Sequence, residues 1–219
     1  MGAILLLMTI GGSVIAAILM VISFLKGISW LRTFVLGGVA VWYSFYIIIF
    51  LTSSVFSEEK TLALNEPKSF CGFYFDCHLH TAVTNVRRAK TLGDKTASGE
   101  FYIVKVKVFS DAKREPLRLI GTEAKIIDAQ KREYERDTEA EKFLGEQPAF
   151  EKQIAPTETF TKEIVFDIPA DAKDPRLDLK DGYGIDHYIE AVLVGDEDSF
   201  FHKRTYFGLA EQTQTVSAK

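Results

Sequence analysis

The residues most suited to chemistry are two histidines and two cysteines crowded into one short stretch, Cys71-Gly-Phe-Tyr-Phe-Asp-Cys77-His78-Leu-His80. His78 and His80 fall on the same face of an extended strand, about 6.5–7 Å apart, a spacing at which two imidazoles can share a metal ion. Local sequence supplies no third or fourth ligand, so His187, His202 or a carboxylate would have to complete the set through the fold. Ordinary surface histidines are the competing reading, and no metal or other cofactor is expected. Cys71 and Cys77 are the only cysteines, and an even pair outside the cytoplasm favours a disulfide over two buried thiols. Fully extended chain would hold them about 20 Å apart, far beyond the reach of a bridge, so closure needs a turn, for which Gly72 is the candidate.

Other chemistry is hard to find. Asp196-Glu197-Asp198 offers oxygen ligands for a hard cation but has neither the spacing nor the glycine of an EF-hand loop, and reads as a solvated turn. The chain contains no phosphate-binding glycine-rich lysine loop, no Gly-x-Ser-x-Gly elbow, no His-Glu-x-x-His and no Cys-x-x-Cys. Gly182-Tyr-Gly184 is too short for a dinucleotide fingerprint. Carboxylates are many, but nothing selects two of them as an acid–base pair, so no catalytic residue is assigned and an enzyme is not expected.

The elements that must position these residues divide sharply by charge. Lys26 and Arg32 are the only ionisable residues in the first 57, apart from the terminus and the tyrosines; the first acidic residue is Glu58. The remainder carries 24 Lys and Arg against all 30 acidic residues, a formal charge of −6 that disfavours a nucleic-acid partner. Residues 3–25 and 33–56 are uncharged and rich in Ile, Leu, Val and Phe, each long enough as a helix to cross a hydrocarbon core of about 30 Å. The connector 26–32 is short, so the two form an antiparallel hairpin, and residues 1–56 have the lipid bilayer as partner. The first stretch lacks the basic n-region of a signal peptide and exceeds its usual apolar length, so it is expected to remain as a span. Basic residues concentrate in the connector, which places it in the cytoplasm and the bulk of the chain outside. Trp42, Tyr43, Phe45 and Tyr46 fall mid-span instead of at the interfaces, and are expected to pack on the first helix or on a partner.

Beyond a linker at 57–69, residues 70–210 form one mostly-β domain, followed by a flexible tail at 211–219. Period-two alternation is clearest from Phe101 to Ser110, with Tyr102, Val104, Val106 and Val108 facing inward and Lys105 and Lys107 outward. It recurs from Phe160 to Pro169, with Phe160, Ile164, Phe166 and Ile168 on one face. With Phe75–Arg87, Leu117–Asp128, Arg176–Lys180, His187–Val194 and Arg204–Leu209 this makes about seven short strands, the pattern of a sandwich. One short helix interrupts them: Thr138-x-x-Glu141 fits a capping box, and Gly145 with Pro148 ends it.

Three stretches carry a likeness. They are Phe101-Tyr-Ile-Val-Lys-Val-Lys-Val-Phe109; Ala124-Lys-Ile-Ile-Asp128 leading to Tyr134; and Ile154-Ala-Pro-Thr-Glu158 running into Ile164-Val-Phe-Asp-Ile-Pro169. In these the chain resembles bacterial membrane-anchored proteins whose extracytoplasmic portion is an immunoglobulin-like domain of unknown function. The resemblance implies an immunoglobulin-like sandwich of the bacterial cytoplasmic membrane, displayed outside the cytoplasm. Two departures stand out: Thr157 occupies a turn position where glycine is expected, and two spans replace a single helix or lipoprotein signal. The functional expectation is a membrane-anchored binding module with a protein partner. The competing one is an accessory subunit of a larger membrane complex, assembled through the hairpin.

Overall fold

The computed structural model describes residues 2–72, 76–182, 184 and 186–209. These fall into two units, one made of the N-terminal helices together with residues 184–204, the other of residues 60–182 together with 205–209.

In the first unit, α1 (Gly2–Leu25) and α2 (Ser29–Val55) are both long and apolar enough to cross a membrane. The reversal between them is tighter than the sequence suggests. Gly27 takes φ 67°, and the Ile28 N–H reaches back to the Ser23 carbonyl at 2.9 Å, a Schellman-type stop that lets α2 begin at Ser29. Arg32 therefore lies inside α2 instead of in the connector, with its guanidinium 4.8 Å from the centre of the Phe24 ring. The mid-span aromatics hold the pair together through their polar ends. Trp42 Nε1 donates to Thr9 Oγ1 at 3.0 Å, and the Tyr43 and Ser13 hydroxyls share a hydrogen bond of 2.7 Å. Most large apolar side chains of both helices point away from the pair, among them Leu7, Ile18, Phe34 and Val41.

The second unit is a β-sandwich. Its strands are β1 (Lys60–Leu62), β2 (Lys68–Gly72), β3 (Asp76–Leu92), β4 (Lys95–Ser110), β5 (Glu123–Ile127), β6 (Glu133–Glu135), β7 (Thr159–Ile168), β8 (Arg176–Lys180) and β9 (Thr205–Gly208). One sheet runs β1-β9-β8-β5-β6 and the other β2-β3-β4-β7, antiparallel throughout except for the β1–β9 pair. The alternation in β4 puts Tyr102, Val104, Val106 and Val108 into the space between the sheets, where they meet Phe160, Ile164, Phe166 and Ile168 of β7 and Ile126, Leu177, Leu179 and Phe207 of the other sheet. Phe101, Ile103 and Val165 are buried as well, on the opposite face of the four-stranded sheet. There α3 (Thr138–Glu141) and the 3-10 turn Lys142–Leu144 cover them, with Ala140 and Leu144 in contact. This helix lies on the connection from β6 to β7, so the chain changes sheets beneath it.

Several elements depart from the sequence reading. The cap of α3 is Asp137, whose carboxylate accepts from the Ala140 N–H at 2.9 Å, one residue before the expected Thr138. Glu141 is occupied elsewhere, paired with Arg136 at 2.7 Å. Residues 57–69 are not simply a linker, since β1 and the start of β2 lie within them. In the stretch Leu117–Asp128 only Glu123–Ile127 is a strand; Leu117 makes an isolated bridge to Ile154. His187–Val194 is not a strand: Asp186–Glu190 forms α4, and turns follow it. The ladder offers it no place, because β8 is paired on one side by β5 and on the other by β9. The expected start of a strand at Phe75 and the tail 211–219 lie outside the described residues.

Candidate functional site

On the outer face of the four-stranded sheet, β2, β3 and the end of β4 bring together Ser69, His78, His80, Phe109 and Asp111. The alternation that buries Leu79 turns His78 and His80 outward together. Ser69 lies directly across from His80 on β2, and Phe109 directly across from it on β4. The imidazole of His80 stacks on the Phe109 ring at 5.1 Å, and Lys107 Nζ sits 5.0 Å from that ring. Asp111 follows β4 at once and is tied in by its N–H, which donates to the His78 carbonyl at 3.1 Å.

One carboxylate oxygen organises the group. Asp111 Oδ1 lies 2.7 Å from His78 Nδ1 and 3.2 Å from His80 Nε2, while Ser69 Oγ lies 2.9 Å from His80 Nδ1. Taking both imidazoles as donors to the carboxylate leaves His80 Nδ1 to accept from the Ser69 hydroxyl. The hydrogen bonds from His78 and then His80 hold the Asp111 carboxyl below the usual carboxylate range. The order serine, histidine, carboxylate is that of a nucleophile relay, but the two ring nitrogens are used in reverse, and Asp111 stands 61% exposed. Water therefore screens the charge on which such a base depends. The arrangement is suited to presenting a rigid polar patch.

Cys71 and Cys77 are joined by a disulfide that ties the end of β2 to the start of β3. Gly72 is not the turn: it is the last residue of β2 and pairs with Asp76, and residues 73–75 lie outside the described residues. His187 and His202 belong to the helical unit, each with a local partner, Glu190 Oε2 at 2.9 Å and the Lys203 carbonyl at 2.8 Å. Asp196 accepts from the Asp198 N–H at 3.0 Å, which makes that acidic run a turn. Among the described residues, no group of three or more histidine, cysteine, aspartate or glutamate side chains is arranged to hold a metal ion.

Sequence reasoning missed two polar features. Lys68 is buried, and its ammonium donates to the Leu179 carbonyl at 2.9 Å, linking the edge of one sheet to the other. Asp128, wholly buried, accepts from the Gln130 and Arg132 N–H groups, from Arg132 Nε at 2.6 Å and from the Tyr134 hydroxyl at 2.9 Å. Burial pushes its carboxyl up, but the Arg132 and Tyr134 bonds together outweigh that and leave it below the usual range. A short Asp-x-x-x-Arg-x-Tyr run is the only trace of this turn in the sequence, and it has no meaning until β5 and β6 are paired.

Residues 76–189 match the model of a family described as a domain of unknown function, DUF4352. The chain belongs to the DUF4352 family. The match takes in β3 to β8 and most of α4; the two apolar helices, β1, β2 and β9 lie outside it. No curated protein matches the chain. Among solved structures, it is similar to a conserved hypothetical protein from Bacillus anthracis at 15% identity, covering 55% of this chain and 91% of that one with a TM-score of 0.41. A secreted protein of Mycobacterium tuberculosis, MPT63, is similar at 13% identity over 58% of this chain and 92% of its own, TM-score 0.39. An uncharacterised β-sandwich protein from Clostridium difficile is similar at 13% identity over 70% of this chain and 96% of its own, TM-score 0.37.

Proposed function

We propose that this DUF4352 chain is a non-catalytic binding module, an immunoglobulin-like sandwich held at the outer surface of a bacterial cytoplasmic membrane by the α1–α2 hairpin. The observation that carries the reading is the hairpin itself. Its polar side chains pair with one another, Trp42 with Thr9 and Tyr43 with Ser13, while its large apolar side chains face outward on all sides. Lipid rewards that arrangement and water penalises it. Lys26 and Arg32 at the connector end favour a cytoplasmic connector and an outside sandwich. The Cys71–Cys77 disulfide suits an oxidising compartment.

The patch of Ser69, His78, His80 and Asp111 is the surface assigned to contact with a protein partner, because Ser69, His78 and Asp111 are open to solvent and are held in place through the largely covered His80. The alternative, an accessory subunit assembled through the hairpin, draws no support from the mid-span aromatics. The polar ends of Trp42, Tyr43 and Tyr46 are bonded within the chain. Protease added to intact spheroplasts tests the topology: the sandwich is removed, and its protection there with digestion from the cytoplasmic side reverses the reading. Copurification from solubilised membranes tests the patch: His80→Ala and Asp111→Ala lose the partner while the chain stays folded, and replacement of the hairpin by an unrelated anchor keeps it.

A further inference from the structure

The chain leaves the sandwich after β8 and returns to it only at β9, and in between residues 184–204 join the helical unit. Their path follows the last turns of α2. The Tyr46 hydroxyl donates to the Val192 carbonyl at 2.7 Å, Gly195 lies against Ser53, and the Lys203 N–H donates to Ser57 Oγ at 2.9 Å. The start of α1 is close too, since a side chain on Gly2 would collide with the Val194 carbonyl. At 1.5 Å per residue Tyr46 lies about 14 Å along the axis from Val55, so the segment reaches well below the end of the helix.

Its surface is inverted relative to a loop in water. The acidic side chains are turned in: Glu190 and Asp198 are each only 13% exposed, paired with His187 at 2.9 Å and Arg204 at 3.3 Å. The aromatic side chains are turned out, with Tyr188 80%, Phe200 58% and Phe201 77% exposed. Phe201 holds this outward pose from the left-handed region, at φ 66°, which a large L-residue adopts only at a cost. The backbone of the segment is largely closed on itself, through Leu193 N–H to the Glu190 carbonyl, Phe200 N–H to the Ala191 carbonyl and His202 N–H to the Ser199 carbonyl. Tucked charges, outward aromatics and satisfied backbone groups are what an apolar surrounding demands.

We propose that residues 184–204 are an interfacial wedge, inserted beside α2 into the headgroup and upper acyl layer of the bilayer that the hairpin spans, with Tyr188, Phe200 and Phe201 as its lipid contacts. The occupant of this apolar surface is lipid because the segment is held against α2 by the Tyr46–Val192 bond, and the neighbouring α2 side chains Ile47, Ile48, Leu51 and Val55 are themselves turned out. The amphipathic ring of tyrosine favours that depth, and phenylalanine recurs on the apolar face of interfacial segments. The proposal rests on the reading of α1 and α2 as membrane spans.

The test uses the full chain in phosphatidylcholine–phosphatidylglycerol vesicles with the native disulfide closed. Nitroxide labels are placed one at a time on Phe201→Cys, Tyr188→Cys, Ile18→Cys in mid-α1 and Glu115→Cys on an exposed turn of the sandwich. Collision of each label with oxygen, which concentrates in lipid, is compared with its collision with an aqueous nickel chelate. Positions 201 and 188 collide preferentially with oxygen, as position 18 does, and position 115 with nickel. If 201 and 188 behave like 115 while 18 remains in lipid, the wedge is overturned and the anchor stands. If 18 also prefers nickel, the anchor reading falls and the wedge with it. Agreement between the two wedge positions guards against one label disturbing its own site.

Discussion

Val106 is the sharpest test of the sandwich. Its side chain is wholly buried between the sheets, with Val83, equally buried, across from it on β3 and Lys162 on β7. Val106→Asp removes the burial of a valine, worth about 1.5–3 kcal/mol, and places a carboxylate among apolar side chains. Lys162, across from it on β7, is already committed to the Pro148 carbonyl at 3.0 Å, so the buried carboxylate adds several kcal/mol more, and the sum is comparable with the whole stability of about 5–15 kcal/mol of a typical domain. The sandwich is then expected not to fold. Lys105→Asp is the control on the opposite face. Lys105 Nζ is 4.0 Å from Glu163 Oε1 and directly across from that residue on β7. The substitution replaces a weak attraction with a like-charge pair and should cost only about 0.2–1 kcal/mol. Pulse proteolysis of the full chain in detergent across a urea series measures both. A midpoint lowered equally by the two, or more by Lys105→Asp, refutes the register, because a slip of one residue exchanges the faces of the entire strand.

Four further outcomes are expected. Thr157 takes φ 66°, strained for a β-branched residue, so Thr157→Gly should stabilise the sandwich by about 1 kcal/mol, read as a higher urea midpoint. Cys71→Ser with Cys77→Ser should lower stability by about 2–3 kcal/mol in the chain-entropy model, and thiol labelling of the denatured, unreduced parent should find no free thiol. Asp128 has a folded-state pKa below its unfolded value, so its contribution is present above the unfolded pKa and lost as pH falls through the folded one. Acid titration of Asp128→Ala should therefore show a shallower loss of stability below about pH 4 than the parent. Asp196 is the opposite case, pushed up to about 6 by burial first and by the neighbouring carboxylates next. Its contribution is present below the unfolded pKa and lost as pH rises through about 6, so amide exchange across 191–202, corrected for intrinsic rate, should quicken there, and Asp196→Asn should remove the effect.

The sequence by itself determined the features that depend on near neighbours in the chain. Two uncharged stretches make two apolar helices, and the alternation of Phe101–Ser110 and Phe160–Pro169 makes β4 and β7 with the faces as read, because the side-chain period is local to the backbone. The family resemblance, not the local sequence, marked Thr157 as a place for glycine, and the backbone there does adopt a left-handed conformation. Everything else waited for long-range pairing. His78, His80 and Ser69 become one patch only when β2, β3 and β4 are in register and Asp111 is delivered beneath them from the far end of a hairpin. Lys68 finds its carbonyl acceptor, and Asp128 its four donors, only after the chain has folded back on itself. His187–Val194 alternates well enough to pass for a strand, yet a strand needs a free neighbouring edge. With β5 and β9 on either side of β8 none was left to it there, and the segment packed instead against α2, where hydrogen bonds and exposed apolar surface, not periodicity, decided its form.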